Sequence, residues 1–331
     1  MASPTPILQN ITIPMARNFT FEEIFVKPAN VMVAKTIVSL IIFIGAFGGN
    51  AMVIGVLLRQ SSKRIGIAEY YIAALAFADL LVTSLYVPIN LLSDYLRGAW
   101  VFGAAGCKII NYIRTTAMTA LAFTLVALAI DRYRAICRSF QFESSKARTK
   151  KTILFVWILS AALMTPYLYV IQSDEFKLYN FNVQFCRRKY GNEEFRTFMI
   201  IFNYLILCVV PSVILVFCYS RIILRIWKSI KYPVNEVRQG SSKIDNARKK
   251  TITTITIMTI LFLLLWVPLW TMQIVFDSRP QTFTTEEKEV MFWVVCLANS
   301  CSVLHPIAYA FSGGKFQSKK SQTVTRMSTI R

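Results

Sequence analysis

One histidine, His305, stands among 331 residues, and the seven cysteines are scattered. That inventory supplies neither a catalytic metal site nor a histidine-dependent nucleophile, which argues against a membrane enzyme. Acids are scarce too: 17 Asp and Glu face 37 Lys and Arg, for a formal net charge of +20. The basic residues lie in short segments between long apolar runs, with no basic domain, so a nucleic-acid partner is excluded. Residues 1–35 lack a basic region followed by a long apolar core, so no cleavable secretory signal is read there. No internal repeat is apparent, which speaks against a transporter built from paired half-repeats.

Apolar residues, by contrast, are abundant at 55% of the chain. A hydrocarbon core about 30 Å thick takes about 20 residues of helix. Seven stretches meet that length: 36–58, 70–93, 109–130, 152–173, 197–220, 251–276 and 290–314. Four of them contain no Asp, Glu, Lys or Arg; the second encloses Asp79, the third Arg114, and the seventh His305. A helix satisfies a lone segment's backbone within lipid. The expectation is an all-α membrane protein, a seven-transmembrane helix bundle spanning 34–312, with an N-terminal tail over 1–33 and a cytoplasmic end over 313–331.

An odd number of spans puts the two ends of the chain on opposite sides, and the basic residues indicate which is cytoplasmic. The segments after spans one, three and five and the final tail hold 24 of the 37 Lys and Arg, whereas 11 of the 17 acids fall on the other side. The chain is therefore expected to be a multi-pass protein of the cell membrane, with an extracellular N-terminus, a cytoplasmic C-terminus and a basic inner rim suited to anionic membrane lipids. The sequons at Asn10 and Asn18 lie in the outer tail as glycosylation candidates. Only Cys107 and Cys186 fall where an oxidising compartment reaches, as a disulfide tying the third span to the second outer loop. In that loop, Phe176 to Phe185 around Asn180 suggests a β-hairpin ahead of Cys186.

Polar residues inside a membrane helix are costly and point to function. Gly49-Asn50 lies in the first span, Asp79 in the second, Asp131-Arg132-Tyr133 closes the third, and Trp157 and Pro166 mark the fourth. Pro211 and Tyr219 follow in the fifth, Phe262 with Trp266-Val267-Pro268 in the sixth, and His305-Pro306-Ile307-Ala308-Tyr309 in the seventh, with Phe316 beyond. In this order and at these depths, the chain resembles the rhodopsin-like (class A) G-protein-coupled receptors, most similar to their neuropeptide-receptor branch. The resemblance covers nearly every span and adds a short amphipathic eighth helix at Phe316.

It implies that an extracellular ligand, a neuropeptide in that branch, activates a heterotrimeric G protein as the sixth span swings outward. The agonist shifts a pre-existing equilibrium by binding one arrangement more tightly. No cofactor is implied. Asp131 holds Arg132 at rest beside Tyr133; Tyr219 and Tyr309 close behind the movement; Phe262, Trp266 and Pro268 form the switch, and Pro306 breaks the seventh span. Ligand contacts carried over are Arg114, Thr115, Met118, Asn203, Trp266, Gln273, Asp277 and Asn299. Ser318, Ser321, Thr323, Thr325, Ser328 and Thr329 would serve receptor kinases and arrestin.

Departures from the pattern are informative. Arg114 stands where amine receptors carry Asp, and Asn299 where opsins carry Lys, so neither an amine nor retinal is expected. Arg114 either anchors an acidic group of the ligand, in the limit a lipid or small acid, or pairs with an internal acid. Asp277 is placed to accept an arginine. The polar core comprises Asn50, Asp79, Ser302 and His305. Relatives bind sodium there, and Asp79 and Ser302 match that site, but Leu121 and Cys301 replace the usual oxygen ligands, which puts a metal in doubt. His305 facing Asp79 stands in for the ion, either as a neutral hydrogen-bonded group or as a pH switch. Arg248 occupies the position of an acid that locks many relatives, leaving ordinary and raised basal activity both open.

Overall fold

The computed structural model describes residues 26–61, 65–137, 145–178, 181–231, 242–279 and 284–312. Seven helices are long and apolar enough to cross a membrane: Ala29–Leu58, Ile67–Tyr95, Gly103–Cys137, Lys146–Val170, Glu193–Arg225, Thr256–Ser278 and Thr285–Ala310, hereafter spans one to seven. Span three is central: 67% of its apolar window is buried, against 28% for spans one, four and five. The outer spans turn Ile41, Ile44, Leu154, Phe155, Val213 and Leu264 outward. This arrangement suits lipid as the surrounding solvent.

The spans depart from the sequence expectation at their ends. Span one starts at Ala29 rather than at residue 36, because Lys35 is not a boundary charge but a buried one, only 3% exposed. Its ammonium lies 2.7 Å from Asp94 and 2.5 Å from Glu289, and Lys27 reaches the same two carboxylates at 2.8 and 3.0 Å. Burial opposes the charge on Lys27, but both acids more than offset it and hold its ammonium above the usual range. Span four ends at Val170 instead of 173. Pro166, which has no N–H to donate, interrupts the helix after Met164, and one short turn, Tyr167–Val170, follows.

The chain then enters the antiparallel hairpin β1 (Ile171–Leu178) and β2 (Phe181–Arg188). The hairpin is longer than expected and takes Cys186 into its second strand rather than preceding it. The Cys107–Cys186 disulfide holds it to span three, and Trp100 donates its backbone N–H to the Gln184 carbonyl at 2.7 Å. In span five a π-helical segment, Leu205–Val209, precedes Pro211, whose missing N–H leaves a gap in the ladder that the wider turn accommodates.

Spans one and seven approach closely through small residues. Asn50 donates its side-chain amide to the carbonyls of Ala46 and Ser302, both at 2.9 Å. A Cβ added at Gly49 would meet Pro306 ring carbons at 2.8 and 2.9 Å. Gly49→Ala should therefore cost about 1–3 kcal/mol through overpacking. Thermal unfolding of the detergent-solubilised protein checks this, and an unchanged midpoint would remove the packing argument.

Asn10, Asn18, Phe316 with the eighth helix, and the tail serines and threonines lie outside the described residues. So does the side chain of Arg248, although its backbone is helical.

Candidate functional site

At the end of the bundle that carries the hairpin lies a small cleft lined by Tyr167, Arg188, Asn203, Tyr204, Trp270, Gln273 and Asp277, with Ile200 and Ile274. Three of the expected ligand residues, Asn203, Gln273 and Asp277, meet here. Gln273 and Asp277 share a face because they are one helical turn apart. Arg188 also belongs to the site, which the sequence reading missed. It follows Cys186 by two residues in β2, so both side chains leave the same face of the strand. The disulfide that points Cys186 toward span three thus turns Arg188 inward as well.

Arg188 makes an ion pair with Asp277. The acid expected to receive an arginine from outside already holds one from the hairpin. Burial disfavours the charge on Arg188, but the Asp277 carboxylate outweighs it and holds the guanidinium above its ordinary range. Beside them the Tyr190 phenol is pushed up to about 12, chiefly by burial, so it keeps its proton at physiological pH.

Arg114 is not in the lining but adjoins it, with Arg188 and Tyr167 as electrostatic neighbours and the Tyr86 ring 4.6 Å from its guanidinium. Thr115, Met118, Trp266 and Asn299 are buried and absent from the lining. Thr115 donates its hydroxyl to the Asn111 carbonyl at 2.9 Å, and Asn299 its amide to Val295 at 2.8 Å, so both bond within their own helices. Trp266 stacks instead on Trp270, 5.8 Å between ring centres, and on Phe262 at 6.1 Å. One aromatic column on span six therefore runs from the cleft wall at Trp270 into the core, interrupted in backbone bonding by Pro268.

The polar core is fully enclosed, with Asp79 and His305 both at 0% exposure. Ser302 donates its hydroxyl to Asp79 Oδ1 at 2.6 Å, and His305 Nδ1 lies 2.7 Å from Asp79 Oδ2. Cys301 Sγ lies 3.3 Å from His305 Nε2. Against an ionised Asp79, Nδ1 carries the proton and donates, and Nε2 then accepts from the thiol or, on the imidazolium, carries a second proton. Both carboxylate oxygens are thus engaged by span seven. Among the described residues no group of three or more His, Cys, Asp or Glu is arranged to hold a metal ion.

At the C-terminal end of span three, Arg132 forms an ion pair with Asp131. Tyr133 packs against Phe217 of span five, 5.8 Å between ring centres. Tyr219 and Tyr309 are buried, and Tyr309 lies within electrostatic reach of both Asp79 and Tyr219. Polar groups therefore line a route from the core toward Arg132.

Comparison with known proteins agrees with this layout. Residues 49–309 match the model of the 7 transmembrane receptor (rhodopsin family). Neuropeptide FF receptor 2 of Mus musculus is 26% identical over 312 residues, covering 91% of this chain and 74% of the relative. The QRFP-like peptide receptor of Branchiostoma floridae is 27% identical, with 86% and 76% covered. Galanin receptor type 1 of Homo sapiens is 29% identical, with 87% and 82% covered. With seven membrane-crossing helices, the Asp131–Arg132 pair and a family match over most of its length, this multi-pass membrane protein belongs to the rhodopsin family of seven-transmembrane receptors.

Proposed function

We propose that the chain is a receptor for an extracellular peptide and that it activates a heterotrimeric G protein by outward movement of span six. The observation that carries this reading is the continuity of span six. Gln273 and Asp277 at its outer end line the cleft, and Trp270, Trp266 and Phe262 continue inward from it. A ligand that alters the cleft acts on the helix that must move. Two of the three relatives named above are receptors for peptides by their names, which supports a peptide ligand here.

Residues 1–28 then form the extracellular tail, 29–312 the receptor domain and 313–331 the cytoplasmic end, bordered by membrane lipids and available to receptor kinases and arrestin. Asp131 restrains Arg132 at rest; on activation Arg132 turns to the G protein, with Tyr219, Tyr309 and Pro306 shaping the space it leaves.

A peptide-library screen read as guanine-nucleotide exchange in membranes tests the reading. Arg132→Ala should lower agonist-stimulated exchange at least about tenfold while the receptor still reaches the surface, a loss equivalent to about 1.4 kcal/mol of coupling free energy. Undiminished exchange in that variant would remove Arg132 from the mechanism.

A further inference from the structure

Two lysines and two acids close a ring at the hairpin end of the bundle. Asp94 accepts from Lys27 on one carboxylate oxygen at 2.8 Å and from Lys35 on the other at 2.7 Å. Glu289 divides its oxygens in the same way, Oε1 to Lys27 at 3.0 Å and Oε2 to Lys35 at 2.5 Å. The ring is neutral, and every charge in it has two opposite neighbours. Its corners come from the segment before span one, from span one, from the end of span two and from the start of span seven.

Three corners are tied together without the fourth. Lys27 and Lys35 belong to one continuous segment, and the Lys27 backbone N–H donates to the carbonyl of Tyr95, beside Asp94, at 3.0 Å. Glu289 is the corner that span seven supplies. Lys35 is buried and its ammonium lies 4.7 Å from the centre of the Phe292 ring, one turn farther along span seven. A buried ammonium is costly to leave short of an acid. Movement of span seven away from spans one and two therefore carries a penalty concentrated at Lys35.

Beyond the ring, span seven continues along the same two neighbours. Ile42, Val87, Phe292 and Cys296 form one buried cluster with Val303 packed against it. A Cβ added at Gly45 would meet Val303 at 3.1 Å, and Asn50 reaches the Ser302 carbonyl. Ser302 and His305, the groups that engage Asp79, are thus carried by the helix that the ring fastens at its other end. In this same arrangement Asp131 holds Arg132.

We propose that the ring of Lys27, Asp94, Lys35 and Glu289 is a latch that holds span seven against spans one and two in the resting arrangement and so sets the basal level of signalling. This rests on the receptor reading above.

The test uses membranes with the full-length receptor and G protein, read as nucleotide exchange without and with the peptide library. A second readout needs no signalling: the rate at which N-ethylmaleimide labels Cys296, buried in the seam next to the ring, followed by mass spectrometry of its peptide. Glu289→Gln should raise basal exchange about threefold to tenfold, between the worth of an exposed ion pair and that of a shielded charged hydrogen bond. Labelling of Cys296 should quicken by a similar factor. That variant also leaves two ammonium groups on Asp94 alone. Adding Lys27→Gln removes the surplus charge while Lys35 keeps Asp94. The double variant should regain most of the thermal stability yet retain the raised basal exchange and the faster labelling, because span seven stays unfastened. It decides the matter where Glu289→Gln alone fails to reach the surface. Basal exchange or labelling at the wild-type level in the double variant shows that the ring only balances charge and overturns the latch; peptide-stimulated exchange in the wild type then leaves the receptor reading standing. Faster labelling in both variants, with no exchange from any of them or from the wild type under any peptide, supports the fastening of span seven and overturns the receptor reading.

Discussion

His305→Leu is expected to be among the most damaging single substitutions in the core, costing about 3–5 kcal/mol, because it leaves Asp79 a buried carboxylate with one partner removed. Asp79 is at 0% exposure and takes one hydrogen bond on each oxygen, from Ser302 at 2.6 Å and from His305 at 2.7 Å. Leucine fills the volume without supplying a donor. Asp79→Asn added to His305→Leu should recover part of the loss, since the charge that lacked a partner is gone; contacting residues couple in this way. Thermal unfolding of the solubilised receptor and its variants reads the effect. Full additivity of the two changes would show that the pair does not act as a unit.

The same geometry predicts indifference to sodium. An ion at Asp79 would have to displace His305, and it would find the thiol of Cys301 there, while a hard cation requires oxygen ligands. Replacing sodium by N-methylglucamine should leave wild-type agonist potency unchanged, and His305→Asn should introduce a sodium dependence. A pH titration of basal exchange in the wild type and His305→Asn separates the two roles of the histidine. Curves that differ between pH 5 and 8 identify a proton switch, and coincident curves identify a fixed hydrogen-bonding group.

Asp277→Arg should have an effect of similar size at the hairpin end of the bundle. It replaces the sole acid of the cleft lining with a third guanidinium near Arg188 and Arg114. Two like charges about 4 Å apart repel by about 4 kcal/mol at a near-surface effective dielectric, and side-chain movement relieves a part. Agonist response and thermal stability should both fall sharply. Reversing the pair with Arg188→Asp and Asp277→Arg together should restore at least half of the stability, because the ion pair re-forms with exchanged ends. A double variant as impaired as the single one would assign the loss to shape rather than charge.

Much of this molecule is readable along the chain. Seven apolar stretches, each long enough for lipid, dictated seven helices because an isolated backbone in hydrocarbon has few other solutions. Asp79 and His305 were visible as polar residues at membrane depth, and their facing each other followed from the family resemblance. Helix ends were less legible. Lys35 looked like a boundary charge because its partners, Asp94 and Glu289, are 59 and 254 positions away in the chain and meet it only in the bundle.

The cleft shows the same division. Periodicity put Gln273 and Asp277 on one face of a helix, but it could not reveal that Arg188 would occupy Asp277, since that contact joins a strand to a helix 89 positions away. Nor could composition show that the Thr115 hydroxyl and the Asn299 amide N–H donate within their own helices. The sequence by itself determined the solvent, the number of spans and the residues too polar to be there by accident, all of which follow from local hydropathy. Which charges neutralise one another was decided only when seven helices and one hairpin came together. Ion pairing depends on distance in space, and distance in space is what a linear chain does not record.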